Sequence, residues 1–272
     1  MSVAGELDRG AGRLTAALST PRRDGLPAII PYLTAGFPAL GDTAALLAAA
    51  EAAGAAAVEV GLPFSDPLAD GPTIQASSQR ALENGMSVAL ALEQIAAARS
   101  AGLHLPVVVM TYINPVLAHG VQRFCDAATN AGVDGLIIPD LPWGEGAELR
   151  AMAASAGIAA IPLVTPLTAP RRLDEACSGA RGFVYCVAVA GVTGARRELP
   201  AEALDLLERV RSRTPTPRAL GFGVSQPEHL TALRGRAEAV VVGSALLDEV
   251  GRELGSPAET VGRFLRRLAG GG

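Results

Sequence analysis

One carboxylate stands inside an apolar run. Glu59 lies in Ala55-Ala-Ala-Val-Glu-Val-Gly61, where strand alternation puts Val58 and Val60 on one face and Ala57 and Glu59 on the other. If the valines meet a layer of helices, Glu59 points into the mouth of a closed sheet, loses part of its water and has its pKa raised. A glutamate tuned in this way serves as both acid and base near neutral pH. The blander use of such a residue is structural, accepting hydrogen bonds from backbone amides.

The next segment is Gly61-Leu-Pro-Phe-Ser-Asp-Pro-Leu-Ala-Asp-Gly-Pro72. Its prolines stiffen the chain and its glycines allow tight bends. Long, constrained loops of this kind often act as lids. It carries two carboxylates, Asp66 and Asp70. One can close over a ligand beside Glu59 while the other holds the loop's shape, and spacing alone does not rank them.

Three glycine-rich stretches follow late apolar runs: Gly191-Val-Thr-Gly194, Gly221-Phe-Gly223 and Gly243-Ser244. Glycine lets a ligand approach the backbone closely, and free N–H groups at a helix start bind anions. Gly194, Gly221, Gly223, Gly243 and Ser244 are therefore candidate phosphate contacts, with ordinary tight turns as the alternative use. Tyr32, Tyr112, Tyr185 and Phe222 fall at or near the ends of apolar runs, where amphipathic rings can flank a flat apolar substrate.

The elements that must position these residues recur with a period of about 25 to 35 residues, a short apolar run and then a helical pattern. The runs are Ala28–Leu33, Ala56–Val60, Pro106–Thr111, Gly135–Pro139, Ala159–Val164, Gly182–Val187, Ala219–Phe222 and Ala239–Val242. Most are continuous in apolar residues, as strands covered on both faces are. Helical patterns span Asp42–Ala53, Val88–Ala101, Val121–Ala131, Glu145–Ala156, Pro170–Cys177, Ala201–Arg213, Pro227–Arg234 and Pro257–Leu268, and Gly243-Ser244 opens a further one. Gly54, Gly102, Gly132 and Gly157 each stand between a helix and the next strand, the position of a helix C-cap. Eight such repeats predict a single α/β domain over residues 1–272, a (β/α)8 TIM barrel. A leading helix near Leu7–Leu18 within residues 1–20 caps its floor, and residues 268–272 form a flexible tail. Active sites of such barrels lie at the C-terminal strand ends, and phosphates commonly sit after strands seven and eight. Glu59 and the late glycines fall at those places.

Composition removes other chemistries. All 23 basic residues are arginine, so no lysine amine exists for a Schiff base or for attaching pyridoxal phosphate. His104, His119 and His229 are scattered and form no metal-ligand motif, so no metal is expected. Cys125, Cys177 and Cys186 lack CxxC spacing and read as reduced thiols of a cytoplasmic protein. A net charge of −4 without a basic stripe argues against nucleic acid and acidic membranes as partners. No apolar run reaches the roughly 20 residues of a membrane span, and the first twelve residues carry no signal pattern.

From about Ala28 to the C-terminal helix, the chain resembles the tryptophan synthase alpha chain family. The family's Glu-x-Gly-x-Pro-Phe-Ser-Asp-Pro-x-Ala-Asp-Gly signature stands complete from Glu59 to Gly71. Met110-Thr-Tyr-Ile-Asn-Pro115, Pro139-Asp140-Leu-Pro142, Gly191-Val-Thr-Gly194, Gly221-Phe-Gly223 and Val242-Gly-Ser244 also look like family segments. The resemblance implies a lyase that splits indole-3-glycerol phosphate into indole and glyceraldehyde 3-phosphate in tryptophan biosynthesis. It makes Glu59 the acid/base and Asp70 the residue that stabilises charge on the indole nitrogen. Tyr185 and Thr193 would line the site and its closing loop, and the glycines and Ser244 would hold the phosphate. It implies no cofactor on this chain, with pyridoxal phosphate only on a beta-subunit partner in an alpha2beta2 tetramer. Val189-Ala190 departs from the polar or basic pair expected of many relatives, which bears on loop closure or its coupling to the partner. The competing readings are a free-standing indole-releasing lyase, a non-catalytic barrel that activates a partner, and a different phosphate-binding isomerase or synthase. Turnover without a partner, inert Glu59 substitution and a non-indole substrate are the respective marks of these three.

Overall fold

The computed structural model describes residues 10–20, 22, 24–188, 199–221, 223–252 and 255–270. No helix among them is long and apolar enough to cross a membrane. The strands are β1 (Ala28–Thr34), β2 (Val58–Gly61), β3 (Val107–Met110), β4 (Gly135–Ile137), β5 (Ala159–Ala160), β6 (Leu163–Val164), β7 (Val184–Val187), β8 (Arg218–Gly221) and β9 (Ala239–Val242). All pair in parallel, in the order β5-β4-β3-β2-β1-β9-β8-β7-β6.

The two ends of that order are neighbours in the chain, so the sheet closes on itself. β5 and β6 are one barrel strand broken at Ile161-Pro162, where proline has no N–H to give. Ile161 N–H still donates to the Leu136 carbonyl on one side (2.9 Å), and the Pro162 carbonyl accepts from Tyr185 N–H on the other (2.9 Å). The continuous strand expected over Ala159–Val164 is thus split by its own proline, and nine segments make the eight strands of a (β/α)8 barrel.

Alternation sorts the side chains. Val58, Val60, Val107, Val109, Val240 and Val242 pack outward against the helices. Ile30, Tyr32, Ala57, Val108, Ile137, Phe183, Ala219 and Val241 fill the interior. The valines flanking Glu59 do face the helices, so Glu59 shares the inner face with Ala57.

The helices are α1 (Gly10–Ser19), α2 (Thr43–Ala52), α3 (Pro72–Glu83), α4 (Val88–Ser100), α5 (Ile113–His119), α6 (Val121–Asn130), α7 (Ala147–Ser155), α8 (Pro170–Gly179), α9 (Ala201–Arg211), α10 (Pro227–Ala232), α11 (Ser244–Arg252) and α12 (Pro257–Leu268). Gly54, Gly102, Gly132 and Gly157 take φ between 77° and 102° just after α2, α4, α6 and α7, as their C-cap positions require. α1 closes the floor: Leu14 and Leu18 enter the interior cluster, and the Thr15 hydroxyl donates to the Gly182 carbonyl at the foot of β7 (3.0 Å).

Candidate active site

Glu59 sits on β2, level with Tyr32 on β1 and Val108 on β3. It is 1% exposed, and neither carboxylate oxygen has a hydrogen-bond partner among the described residues. A buried carboxylate without partners resists ionisation. Burial and then the charge of Asp70 push its pKa to about 8, while the Tyr185 hydroxyl favours the ionised form without reaching full hydrogen-bond geometry.

The loop after β2 delivers Asp70 to the same place. Its backbone is pinned on both sides. Asp70 N–H donates to the Pro67 carbonyl (3.0 Å), and the Asp70 carbonyl accepts from Gln75 Nε2 (2.9 Å). Burial raises its carboxyl to about 6, and the Tyr112 hydroxyl holds it back from going higher. Asp66 is placed differently. It is exposed, accepts from its neighbour's Ser65 hydroxyl (2.5 Å), and offers its carbonyl to Leu68 N–H (2.9 Å). The structure therefore separates the two loop acids: Asp66 shapes the loop and Asp70 faces Glu59.

Three tyrosines surround the pair. Tyr112 is buried at the end of β3, its hydroxyl accepting from Ala69 N–H (2.9 Å) and its ring 5.4 Å from that of Phe64. It thus grips the loop near both ends. Tyr32 and Tyr185 have hydroxyls pushed well above the ordinary tyrosine range, first by burial, then by the acids. Asp70 leads among the charges for Tyr32, and Glu59 for Tyr185. Two glycines make room for these rings. A Cβ on Gly61 would collide with the Tyr32 hydroxyl, and one on Gly221 would come within 2.5 Å of Tyr185 Cε1. Gly221, singled out in the sequence for phosphate, thus also has a steric task.

Gly243 lies beside Tyr32, and its carbonyl accepts from Leu247 N–H (2.9 Å), so Gly243-Ser244 opens α11 at the barrel mouth. Gly223 follows β8 with φ of 30°. Ser225 N–H in the same loop donates to His229 Nδ1 (3.3 Å). Thr193, Gly194, Phe222 and the Val189-Ala190 pair lie outside the described residues.

Three features of this face were not apparent in the sequence. Thr34 and Ser77 are buried and joined (2.7 Å), with Ser77 donating to the Ile74 carbonyl (2.8 Å), which ties β1 to α3. Asp140, after β4, accepts from Ile113 N–H (2.9 Å); its position at a strand end was the available signal. Leu68, Leu117 and Leu167, on the connections after β2, β3 and β6, are 92%, 57% and 84% exposed.

A model of the tryptophan synthase alpha chain family matches residues 18–269. The chain belongs to that family. The alpha chain of Chloroflexus aggregans is 45% identical over 249 residues, 92% of each chain. That of Carboxydothermus hydrogenoformans is 48% identical over 236 residues, 87% of this chain and 88% of the relative. In structure, the barrel is similar to a chain of the tryptophan synthase α2β2 complex from Pyrococcus furiosus. The TM-score is 0.84 at 40% identity, covering 90% of this chain and 98% of that one. The tryptophan synthase alpha chain motif from Glu59 to Gly71 is the segment that carries the two inward acids described above.

Proposed function

We propose that the chain performs the alpha reaction of tryptophan synthase by acid–base chemistry, with Glu59 moving the protons and Asp70 stabilising charge on the indole nitrogen. One observation carries this reading. Two neighbouring carboxyls are held about two pKa units apart, at about 8 and about 6, by their surroundings. This ordering favours a protonated Glu59 beside an ionised Asp70 near neutral pH. Such a split assigns an acid and an anion to one site.

The steps balance. Glu59 gives its proton to C3 of the indole ring of indole-3-glycerol phosphate, and the resulting positive charge on the ring nitrogen is met by Asp70. The same Glu59, now a carboxylate, takes the proton of the hydroxyl on the adjacent glycerol carbon. The carbon–carbon bond breaks, its electron pair returns to the ring, and the former hydroxyl carbon leaves as the aldehyde of glyceraldehyde 3-phosphate. Glu59 ends protonated, as it began. The ring is the electron sink, so the scheme requires no group beyond this chain's own acids, which suits a chain without lysine.

Tyr32, Tyr112 and Tyr185 form the walls against the flat ring. Gly221, Gly223, Gly243 and Ser244 offer backbone and hydroxyl donors to the phosphate, with Thr193, Gly194 and Phe222 proposed to complete the site. Leu68, Leu117 and Leu167 suit docking of a beta subunit on this face, and the Pyrococcus relative belongs to an α2β2 complex. We propose that the whole chain acts as one domain in the cytoplasm.

An indole-release assay on indole-3-glycerol phosphate, run with and without a beta subunit, tests the reading. Slow release alone and much faster release with the partner is the expected result. Undiminished release by Glu59→Gln would overturn the assignment.

A further inference from the structure

We infer that Asp140 is a positioning residue for Tyr112 and, through it, for Asp70; the inference rests on the reading above, in which Asp70 is ionised and meets the indole nitrogen. α5 begins with Tyr112 at its N-cap, and no side chain of that residue caps the helix. Tyrosine is a poor cap, since caps are short side chains whose oxygen folds back on the first turn. Here the hydroxyl is also committed elsewhere, accepting Ala69 N–H next to Asp70 (2.9 Å). The missing cap comes from another loop. Asp140, 27 residues on and just after β4, takes Ile113 N–H at 2.9 Å.

This arrangement gives Asp140 leverage out of proportion to its own exposure. Tyr112 carries its hydroxyl at the far end of a rigid ring. A backbone turn of about 10° at Tyr112 would swing the hydroxyl by roughly 1 Å, and misplacements of that size can cost up to 100-fold in rate. Phe64 bounds the Tyr112 ring on the loop side (5.4 Å), so the Asp140 bond fixes the turn from which the ring springs. The groups that face Asp70 are Glu59 on β2, Tyr32 on β1, Tyr112 after β3 and Tyr185 on β7. Near pH 6 all four are protonated and neutral, and of them Tyr112 is the side chain whose hydrogen bond acts on Asp70, so its position controls how readily Asp70 ionises. Donation from the Tyr112 hydroxyl favours the Asp70 carboxylate; losing that donation raises the pKa of Asp70 further and moves the acid limb of activity to higher pH.

The test compares Asp140→Ala, Asp140→Asn and Asp140→Glu with the unchanged protein, in the pH profile of kcat for indole release and in thermal melts. Asp140→Ala is expected to lose about 10-fold in kcat, keep KM within about threefold, and carry its acid limb upward by half a pH unit or more. Asp140→Asn retains an oxygen acceptor and should stay within about twofold, with the limb in place. An Asp140→Ala protein that melts earlier but keeps its acid limb would overturn the inference, because a purely structural cap lowers stability without moving that limb. If the alanine variant fails to fold, Asp140→Glu, whose acceptor is displaced by one methylene, should show the same upward move, and an unmoved limb there overturns it equally. Absence of indole release by the unchanged protein would instead sink the functional reading itself.

Discussion

Two buried acids sit at opposite ends of this barrel and are treated in opposite ways. At the floor, Asp134 is 3% exposed and surrounded by donors. Val107 N–H (2.9 Å), Gly10 N–H (3.3 Å), Arg99 (2.9 Å) and Arg13 (3.4 Å) all donate to it. A cavity of about 270 Å³ opens there, lined by these same arginines and Asp134, so its charges are already spent on one another. A second floor pair repeats the pattern. Burial alone would raise the Glu238 carboxyl, yet hydrogen bonds from the Arg218 side chain and backbone carry it below the ordinary range. At the mouth, Glu59 is buried more deeply and has no hydrogen-bond partner among the described residues. The floor acids join α1 and the strand feet into one body. The mouth acid is left unsatisfied, at a cost in stability, which is what the proposed role of holding a proton for the substrate requires.

Substitution at each end should separate these roles. Glu59→Gln is expected to lower kcat for indole release by about 10³-fold, within the range general acid–base groups supply, while the protein stays folded. Asp134→Ala should do the reverse. It takes the carboxylate from Arg99 and Arg13, which keep backbone carbonyl acceptors, and leaves Val107 N–H and Gly10 N–H without their acceptor. The loss should cost about 2–4 kcal/mol in denaturant unfolding, with kcat of the folded fraction within a few-fold of the parent.

The two ends also differ in how far the sequence foretold them. The eight apolar runs and the inward turn of Glu59 were legible because alternation has a strict period of two. The floor was not: Arg13 and Asp134 are 121 residues apart, and no local pattern joins them. α3 was missed because its buried residues are Ser77, Ser78 and Ala81, so no apolar stripe marks its inner face. α5 was missed because it is seven residues long with Asn114-Pro115 inside it. Asp66 and Asp70 could not be ranked by residue spacing, since their difference is one of exposure, set by how the loop folds between the Tyr112 hydroxyl and the Phe64 ring.

A smaller effect sharpens the contrast in stability. Glu59 has a folded-state pKa above its unfolded value, so folding favours its protonated form. That contribution is intact below about pH 4 and drains away as pH rises to about 8. Glu59→Gln should therefore melt close to the parent at pH 5 and about 5 °C or more above it at pH 8.5. Equal melting gaps at the two pH values would show that Glu59 is not held protonated. Smaller again, Asp70→Asn removes a charge that raises Glu59, so the pKa of Glu59 should fall by about half a unit to one unit.

The most direct measurement is the titration of the Glu59 side-chain carboxyl itself, followed by carbon-13 NMR in the free enzyme with Glu59→Gln as the assignment control. The account predicts a midpoint near 8, with Glu59 still protonated at pH 7. A midpoint near 4.5, the value of an ordinary exposed glutamate, would contradict it.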